Sequence, residues 1–162
     1  MNLVTQALAV TSLLGSAIIA GVFFAFSSFI MKALAKLPSS EGIAAMQSIN
    51  VVVLNPGFLG TFMGTAALSV VIAVVAIMGW GTPWAPWLLA GAVAYFVGTF
   101  LVTGLGNVPL NDQLAAVSAR DSGAVPVWQH YLARWTLLNT IRTIAAVVAA
   151  VAFTLGSMTM PG

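Results

Sequence analysis

Four long apolar stretches, together with very few charges, set the strongest limit on how this chain can fold. Of its 162 residues, 60% are hydrophobic and only 5% are Asp, Glu, Lys or Arg, whereas about a quarter of the residues in a soluble domain are charged. So few charges could not hydrate the surface of a soluble fold of this size. The composition therefore predicts an integral membrane protein.

The apolar stretches predict an all-α, four-helix membrane bundle that forms a single transmembrane domain over residues 1–162. A bilayer core about 30 Å thick needs about 20 apolar residues of helix. The first stretch lacks a basic leader and is too long for a signal peptide, so we expect it to be retained as a helix. The predicted spans are 7–31, 58–80, 87–106 and 133–154.

The connections between the spans predict two short interfacial helices and one turn. In the first connection a helix is expected from near Glu41, capped by Ser39 or Ser40, to near Asn55, with apolar residues at helical spacing. In the third connection Pro109 marks the start of another short helix. The second connection is a turn whose tryptophans we expect at headgroup level. They are Trp80, Trp84 and Trp87.

The charged residues predict the orientation of the chain in the membrane. All eight lie in or beside the first and third connections, which an even number of spans places on one face. The positive-inside rule makes that face cytoplasmic and puts both termini outside. The basic residues concerned are Lys32, Lys36, Arg120, Arg134 and Arg142.

Several function classes are excluded by composition. A net charge of +2 from scattered residues is too weak for nucleic-acid binding. The chain has no cysteine, which excludes disulfides and thiolate metal sites, and its single histidine excludes a multi-histidine metal site. Haem bound through one histidine stays formally open. No phosphate-binding, dinucleotide, nucleophile-elbow or zinc motif is present.

Small residues at four-residue spacing predict close helix packing. Gly60 and Gly64 fit this pattern, and Gly91, Ala94 and Gly98 form a second small surface. We expect both sets to pack the bundle internally. A homodimer interface at the first pair is the alternative.

A polar and aromatic stripe runs along the fourth span into a very apolar segment. At 3.6 residues per turn its members fall within about a quarter of the helix circumference. Two interpretations are open for Arg142: its side chain extends to the nearby interface among a belt of aromatic residues, or it points into the bundle as part of a site. His130 and Arg134 lie on another face. The stripe consists of Trp128, Tyr131, Trp135, Asn139 and Arg142.

Polar residues from the other spans are predicted at the same depth as the stripe. Each could simply cap a helix, but together they favour a pocket open to the cytoplasmic side, because polar groups near hydrocarbon need partners. Such a pocket suits a flat aromatic molecule with a few oxygens. The polar residues are Asn55, Asn107, Asn111, Asp112, Ser27 and Ser28, the expected floor is Phe23, Phe24, Phe26 and Phe29, and the rim is Trp128, Trp135, Asn139 and Arg142.

Five segments resemble a known family. They are GVFFAFSSFIMKALAKLP, GIAAMQSIN, LNPGF, GNVPLND and YLARWTLLNTIRT. Across nearly the whole chain they are similar to the anthrone oxygenase family of small four-helix membrane proteins, whose bacterial members are largely of unknown function. The resemblance implies a multi-pass protein of the bacterial inner membrane. Fungal members oxidise anthrones to anthraquinones with molecular oxygen and no known cofactor, so we expect no cofactor here.

The resemblance carries over to five positions and departs at one. The matching residues are Asn107, Asn111, Trp135, Asn139 and Arg142. The family commonly has a histidine directly after the asparagine of the helix-4 motif, where this chain has Thr140. If that histidine is the catalytic base, this chain lacks it.

Two functions are therefore compatible with the sequence. In the first, a cofactor-independent oxygenase, Arg142 stabilises an enolate, Asn139 assists, and Asp112 is a better base than His130. In the second, a non-catalytic module binds a quinone or lipid, or serves as an accessory subunit. Either could form a homo-oligomer or part of a larger membrane complex, and neither uses a metal. The expected substrate-binding residues are Trp135, Trp128, Tyr131, Asn107, Asn111, Asn55 and Phe24.

Overall fold

The computed structural model describes residues 3–121 and 123–160 as five helices without any strand. Four of them are long and apolar enough to cross a membrane, which confirms the predicted all-α fold with four spans. The fifth is a shorter helix between the first two spans. The helices are α1 (Leu3–Leu34), α2 (Ser39–Val52), α3 (Pro56–Met78), α4 (Ala85–Ala115) and α5 (Ala124–Met158).

The four long helices form an antiparallel bundle. Helix α1 packs against α3 and α5, and α4 packs against the same two helices. Along the α4–α5 pair, Gly91 faces Phe153 while Asn107 lies beside Trp135, so the two helices run in opposite directions. This topology brings α2 and the α4–α5 connection to the same end of the bundle.

Helix α4 continues without interruption through Pro109 to Ala115. The predicted short helix is therefore not confirmed as a separate element: Val108–Ala115 is helical with Pro109 in its first turn, as expected, but it continues α4. A proline inside a regular α-helix clashes with the carbonyl four residues earlier. Just before Pro109, however, the turn Thr103–Asn107 is widened, and the Val108 N–H donates to the carbonyl of Thr103, five residues back. The wider turn changes the local register and lets the helix proceed.

Helix α2 is present, as predicted, but begins at Ser39, with Pro38 in the capping position and no side-chain cap. The predicted serine cap is thus wrong. Gln47 fixes α2 to the end of α4, since its Nε2 donates to the carbonyls of Leu114 at 2.8 Å and Val117 at 2.9 Å. Carbonyls at a helix end lack partners within the helix. Whether α2 lies at the membrane interface stays a prediction.

Glycine allows close contact between α4 and α5. A Cβ atom at Gly91 would lie 2.8 Å from ring carbons of Phe153, and one at Gly98 would lie 2.6 Å from the Cβ of Ala145. This part of the predicted internal packing is confirmed.

The predicted role of the other glycine pair is wrong. Gly60 and Gly64 are exposed on the outer side of α3, and a Cβ at either would meet nothing within 4 Å. The residue that lets α1 approach α3 is instead Gly15, which packs directly on the Thr65 side chain.

The turn between α3 and α4 contains one buried tryptophan. Trp84 is 6% exposed and packs on Gly79, so it faces the protein interior, while its depth at headgroup level stays a prediction. Trp80 and Trp87 are exposed, which is compatible with that prediction.

The close α4–α5 contact generates a stability prediction. Gly91→Val should lower the free energy of unfolding by about 1–3 kcal/mol, the usual range for overpacking, because Phe153 and the Ala149 carbonyl, 3.2 Å from the Cβ position, leave no room. Gly21→Val is the matched control, since its Cβ would meet nothing within 4 Å. Unfolding in a mild detergent measures both variants. Equal stability of the two would contradict the packing described here.

Candidate functional site

A cavity of about 490 Å³ lies at the end of the bundle that α2 covers, and all five helices contribute to its wall. This volume is within the range of small-molecule sites, which is about 300–1,000 Å³. Most of the wall is aliphatic or phenylalanine. The polar or charged residues that line it are Gln47, Asn50, Thr103, Asn111, Asp112 and Arg142.

Arg142 points into the bundle and is only 5% exposed. Its Nε and Nη2 donate to Oδ1 of Asn139 at 3.0 and 2.8 Å, and its Nη1 donates to Oγ1 of Thr103 at 3.2 Å. The structure thus supports the inward interpretation of this residue and not the one in which its side chain reaches the interface.

Two aromatic rings flank the guanidinium. Its central carbon lies 3.9 Å from the ring centre of Phe23 and 4.9 Å from that of Trp135. Cation–π contacts of this kind stabilise a desolvated cation by about 2 kcal/mol. None of the described contacts of Arg142 carries a negative charge. The cavity therefore has a net positive charge at this wall, which favours an anionic oxygen of a ligand.

Asn139 holds Arg142 in place from outside the cavity lining. While its Oδ1 accepts two hydrogen bonds from the guanidinium, its Nδ2 donates to the Phe23 carbonyl at 2.7 Å and to Ser27 Oγ at 2.6 Å. Ser27 belongs to a widened turn of α1, Phe26–Ile30. The amide thus connects α1 with the cation on α5 and uses both its ends.

The aromatic members of the stripe form a stacked ladder. Ring centres of Trp128 and Tyr131 are 5.8 Å apart, as are those of Tyr131 and Trp135. The Tyr131 hydroxyl and the Trp135 Nε1 each donate to Oδ1 of Asn111 at 2.8 Å. Trp135 and Asn111 line the cavity, whereas Trp128 and Tyr131 are buried behind it. The ladder therefore supports the wall rather than forming it.

The remaining polar residues of α4 occupy two different environments. Asn107 is fully buried and donates to the Trp135 carbonyl at 3.2 Å, while its Oδ1 has no partner among the described residues. Asp112 lines the cavity and is exposed, so it lies at the rim.

Other predicted site residues are not brought into the cavity. Asn55 is exposed and caps α3, accepting from the Phe58 N–H at 3.0 Å, so the helix-cap role applies to it. Phe24 and Phe29 are 62% and 60% exposed on the outer surface of α1, because the helical repeat turns them away from Phe23. Ser28 donates to a carbonyl of its own helix.

The residues of the fourth span that we placed on another face lie where expected. His130 and Arg134 are both exposed. His130 does not line the cavity, so the geometry does not support it as the catalytic base.

Sequence reasoning missed Thr103 and a group of phenylalanines on α3 and α4. Phe58 and Phe62 are stacked with centres 5.8 Å apart, and Phe62 contacts Phe100 at 5.6 Å. The signal was present: Phe58 and Phe62 are four residues apart, and Phe100 and Thr103 precede Asn107 at helical spacing. In so apolar a chain these residues did not stand out as a site.

Comparison with known proteins identifies one family. The family described as anthrone oxygenase matches residues 58–152, more than half of the chain. The matched region contains nearly all of α3, the whole of α4 and most of α5, with Arg142 and its partners Asn139 and Thr103. No curated protein and no solved structure matches the chain.

The contact between Asn139 and Arg142 generates a prediction about their coupling. Asn139→Leu should cost about 1.5–3 kcal/mol of unfolding free energy, because hydrogen bonds to a charged group are lost while the cation stays buried. The double variant with Arg142→Met should recover at least half of that loss, since both polar groups are then gone. A double-mutant cycle by unfolding in detergent measures this. Additive effects would show that the two side chains are not coupled.

Proposed function

Because the chain belongs to the anthrone oxygenase family, we propose that its cavity binds a flat aromatic molecule with an acidic oxygen, of the anthrone or hydroquinone class, and oxidises it with molecular oxygen without a cofactor. The observation that carries this proposal is Arg142, a buried cation whose described partners are all neutral, at the wall of an apolar cavity. We place this end of the bundle at the cytoplasmic face of a bacterial inner membrane, following the distribution of basic residues.

The shape of the wall supports a planar ligand. Phe23, Phe58, Phe62 and Phe100 line the cavity on three helices and contact one another in tilted and edge-to-face arrangements. Aromatic rings pack on each other in offset or edge-to-face arrangements at 4.5–7 Å, worth about 0.5–1.5 kcal/mol per pair. A tricyclic ring system can meet these rings while one oxygen reaches the guanidinium.

The proposed reaction replaces two hydrogens of a methylene group by one oxygen. A base removes a C–H proton from the methylene group of the anthrone. The negative charge is delocalised onto the carbonyl oxygen of the anthrone, which lies beside Arg142. The carbanion carbon then forms a bond to O₂, which is reduced to a peroxide that takes up a proton. Loss of the second C–H proton with cleavage of the O–O bond gives the carbonyl and one water. A preorganised hydrogen-bond donor to a developing oxyanion, the role assigned here to Arg142, typically accounts for about 10²–10³ in rate.

Asp112 is the candidate base in this mechanism. It is the one carboxylate among the residues that line the cavity in the described part of the chain, and it lies at the rim. Thr140, at the position of the family's histidine, is not among the lining residues. Its hydroxyl donates to the Thr136 carbonyl at 2.9 Å and lies 3.0 Å from Ser27 Oγ at the contact between α1 and α5. Thr140 itself therefore contributes no group to the cavity wall.

The role of Arg142 predicts a large effect on oxidation. Purified protein given emodin anthrone should consume oxygen, and Arg142→Met should lower the rate at least about 100-fold, as for the loss of an oxyanion donor. Arg134→Met is the matched control, because Arg134 is an exposed cation on the same helix. Oxygen uptake, corrected for spontaneous oxidation with denatured protein, provides the measurement. Equal rates for Arg142→Met and wild type would remove the assigned role.

A second function is favoured by the rim position of Asp112. Because Asp112 lies at the rim and not inside the cavity, the same cavity suits a binding module for a quinone or lipid, or an accessory subunit, that does no chemistry. Asp112→Asn separates the two proposals. For an oxygenase, oxygen uptake should fall at least about tenfold, with emodin affinity retained. This threshold is set below the 10²-fold that is the lower end for acid–base catalysis. For a binding module, wild type and Asp112→Asn bind alike, neither turns over, and native mass spectrometry from gentle detergent finds a bound quinone or a stoichiometric partner.

A further inference from the structure

Seven of the residues that line the cavity are also solvent-exposed. Exposed side chains among the lining residues mark where the cavity opens. Six of the seven are apolar, and the one charged residue among them is Asp112. They are Val51, Leu54, Met63, Gly104, Val108, Asp112 and Ala115.

The opening lies between α3 and α4. Helix α3 contacts α4 along the Ala85–Leu101 part of α4. The contact includes a hydrogen bond of 3.2 Å from the Tyr95 hydroxyl to the Phe62 carbonyl. The Phe62 and Phe100 rings, 5.6 Å apart, close the inner end of the cavity. Nearer to α2 the residues between the two helices line the cavity instead, with Met63 on one edge and Gly104 on the other.

The part of the opening between Met63 and Gly104 lies at a depth that the bilayer occupies, whereas Asp112 and Ala115 lie nearer the end of α4. Met63 is 15 residues before the end of α3 at Met78, and Gly104 is 19 residues after the start of α4 at Ala85. At 1.5 Å per residue these positions are about 22 and 28 Å from the opposite end of the bundle. The hydrocarbon core is about 30 Å thick, so Met63 and Gly104 lie within it or at its edge.

We propose that the cavity opens sideways into the membrane between α3 and α4, and that its ligand enters from the hydrocarbon phase rather than from water. The proposal takes the class of ligand, a flat apolar aromatic, from the proposed function. The route itself depends on the exposed apolar rim. An apolar molecule is concentrated in the bilayer by the hydrophobic effect, and it reaches Arg142 through this opening without crossing the headgroup layer again.

Gly104 is the place at which this route can be blocked. It is exposed at the edge of the opening, and a Cβ built on it would meet nothing within 4 Å. A larger side chain therefore has room at this position, and because Gly104 lines the cavity we expect a phenylalanine there to narrow the gap between the helices. Gly64 offers the matched control, because it is equally open, lies next to Met63 in sequence and does not line the cavity.

The absence of cysteine allows a test that needs no knowledge of the ligand. Val22→Cys introduces one thiol on the cavity wall of α1, and Leu59→Cys introduces one on the wall of α3 as a second reporter. In lipid nanodiscs each should react with an apolar, membrane-dissolved maleimide, and adding Gly104→Phe should slow that reaction at least tenfold. Gly64→Phe should leave it within twofold. Unchanged labelling in Gly104→Phe, or equally fast labelling by a charged, membrane-impermeant methanethiosulfonate, would overturn the lateral route.

Emodin binding gives a second readout that separates this proposal from the proposed function. A residue at the entrance changes association and dissociation rates together, so Gly104→Phe should slow both at least tenfold with the Kd within twofold of wild type. A change in Kd with unchanged association rate would instead make residue 104 part of the binding site and overturn its role as an entrance. Because thiol labelling uses no aromatic substrate, a chain that fails to oxidise emodin anthrone still confirms or overturns the route through labelling.

Discussion

The pairing of the Arg142 guanidinium with the side-chain amide of Asn139 is the interaction on which the site depends. A cation that is 5% exposed in an apolar bundle needs acceptors and polarisable neighbours. It has the amide oxygen of Asn139, the hydroxyl of Thr103 and two aromatic faces. The Nδ2 of the same amide donates to the backbone carbonyl of Phe23 on α1. One residue thus orders the cation, joins two helices and leaves the positive charge for a ligand to neutralise.

Widened helical turns bring the site together. They occur at Phe26–Ile30 in α1 and at Ala94–Leu101 and Thr103–Asn107 in α4, on both sides of the cavity. Such turns are frequent at functional sites because they alter side-chain direction without ending the helix. Here they include Ser27, whose hydroxyl accepts from Asn139, and Thr103, whose hydroxyl accepts from Arg142. The turn at Thr103–Asn107 also accommodates Pro109, so that α4 reaches the rim with Asn111 and Asp112 on one continuous helix.

Helical periodicity correctly predicted which way the polar residues of the stripe point. It could not predict the direction of apolar residues, because the same residue types suit a lipid-facing surface and the protein core. The inward direction of Asn139 and Trp135 followed from their spacing with Arg142, because polar groups in a membrane helix must find partners. Phe24 and Phe29 could not be told from Phe23 and Phe26, since phenylalanine suits lipid as well as a cavity wall. The same ambiguity placed the outward Gly60 and Gly64 inside the bundle. Widened turns have no sequence signature, so the continuity of α4 was missed.

The central claim is that Arg142 stabilises a negative oxygen on an aromatic ligand inside the cavity. The most direct measurement is the visible absorption spectrum of a bound hydroxyanthraquinone such as emodin as the pH is raised, because its ionised form absorbs at longer wavelength. With wild type, the bound ligand should ionise at least one pH unit below the ligand bound to Arg142→Met, since one unit corresponds to about 1.4 kcal/mol of preferential interaction with the anion. The same ionisation pH in both proteins, or no saturable binding to wild type, would contradict the account.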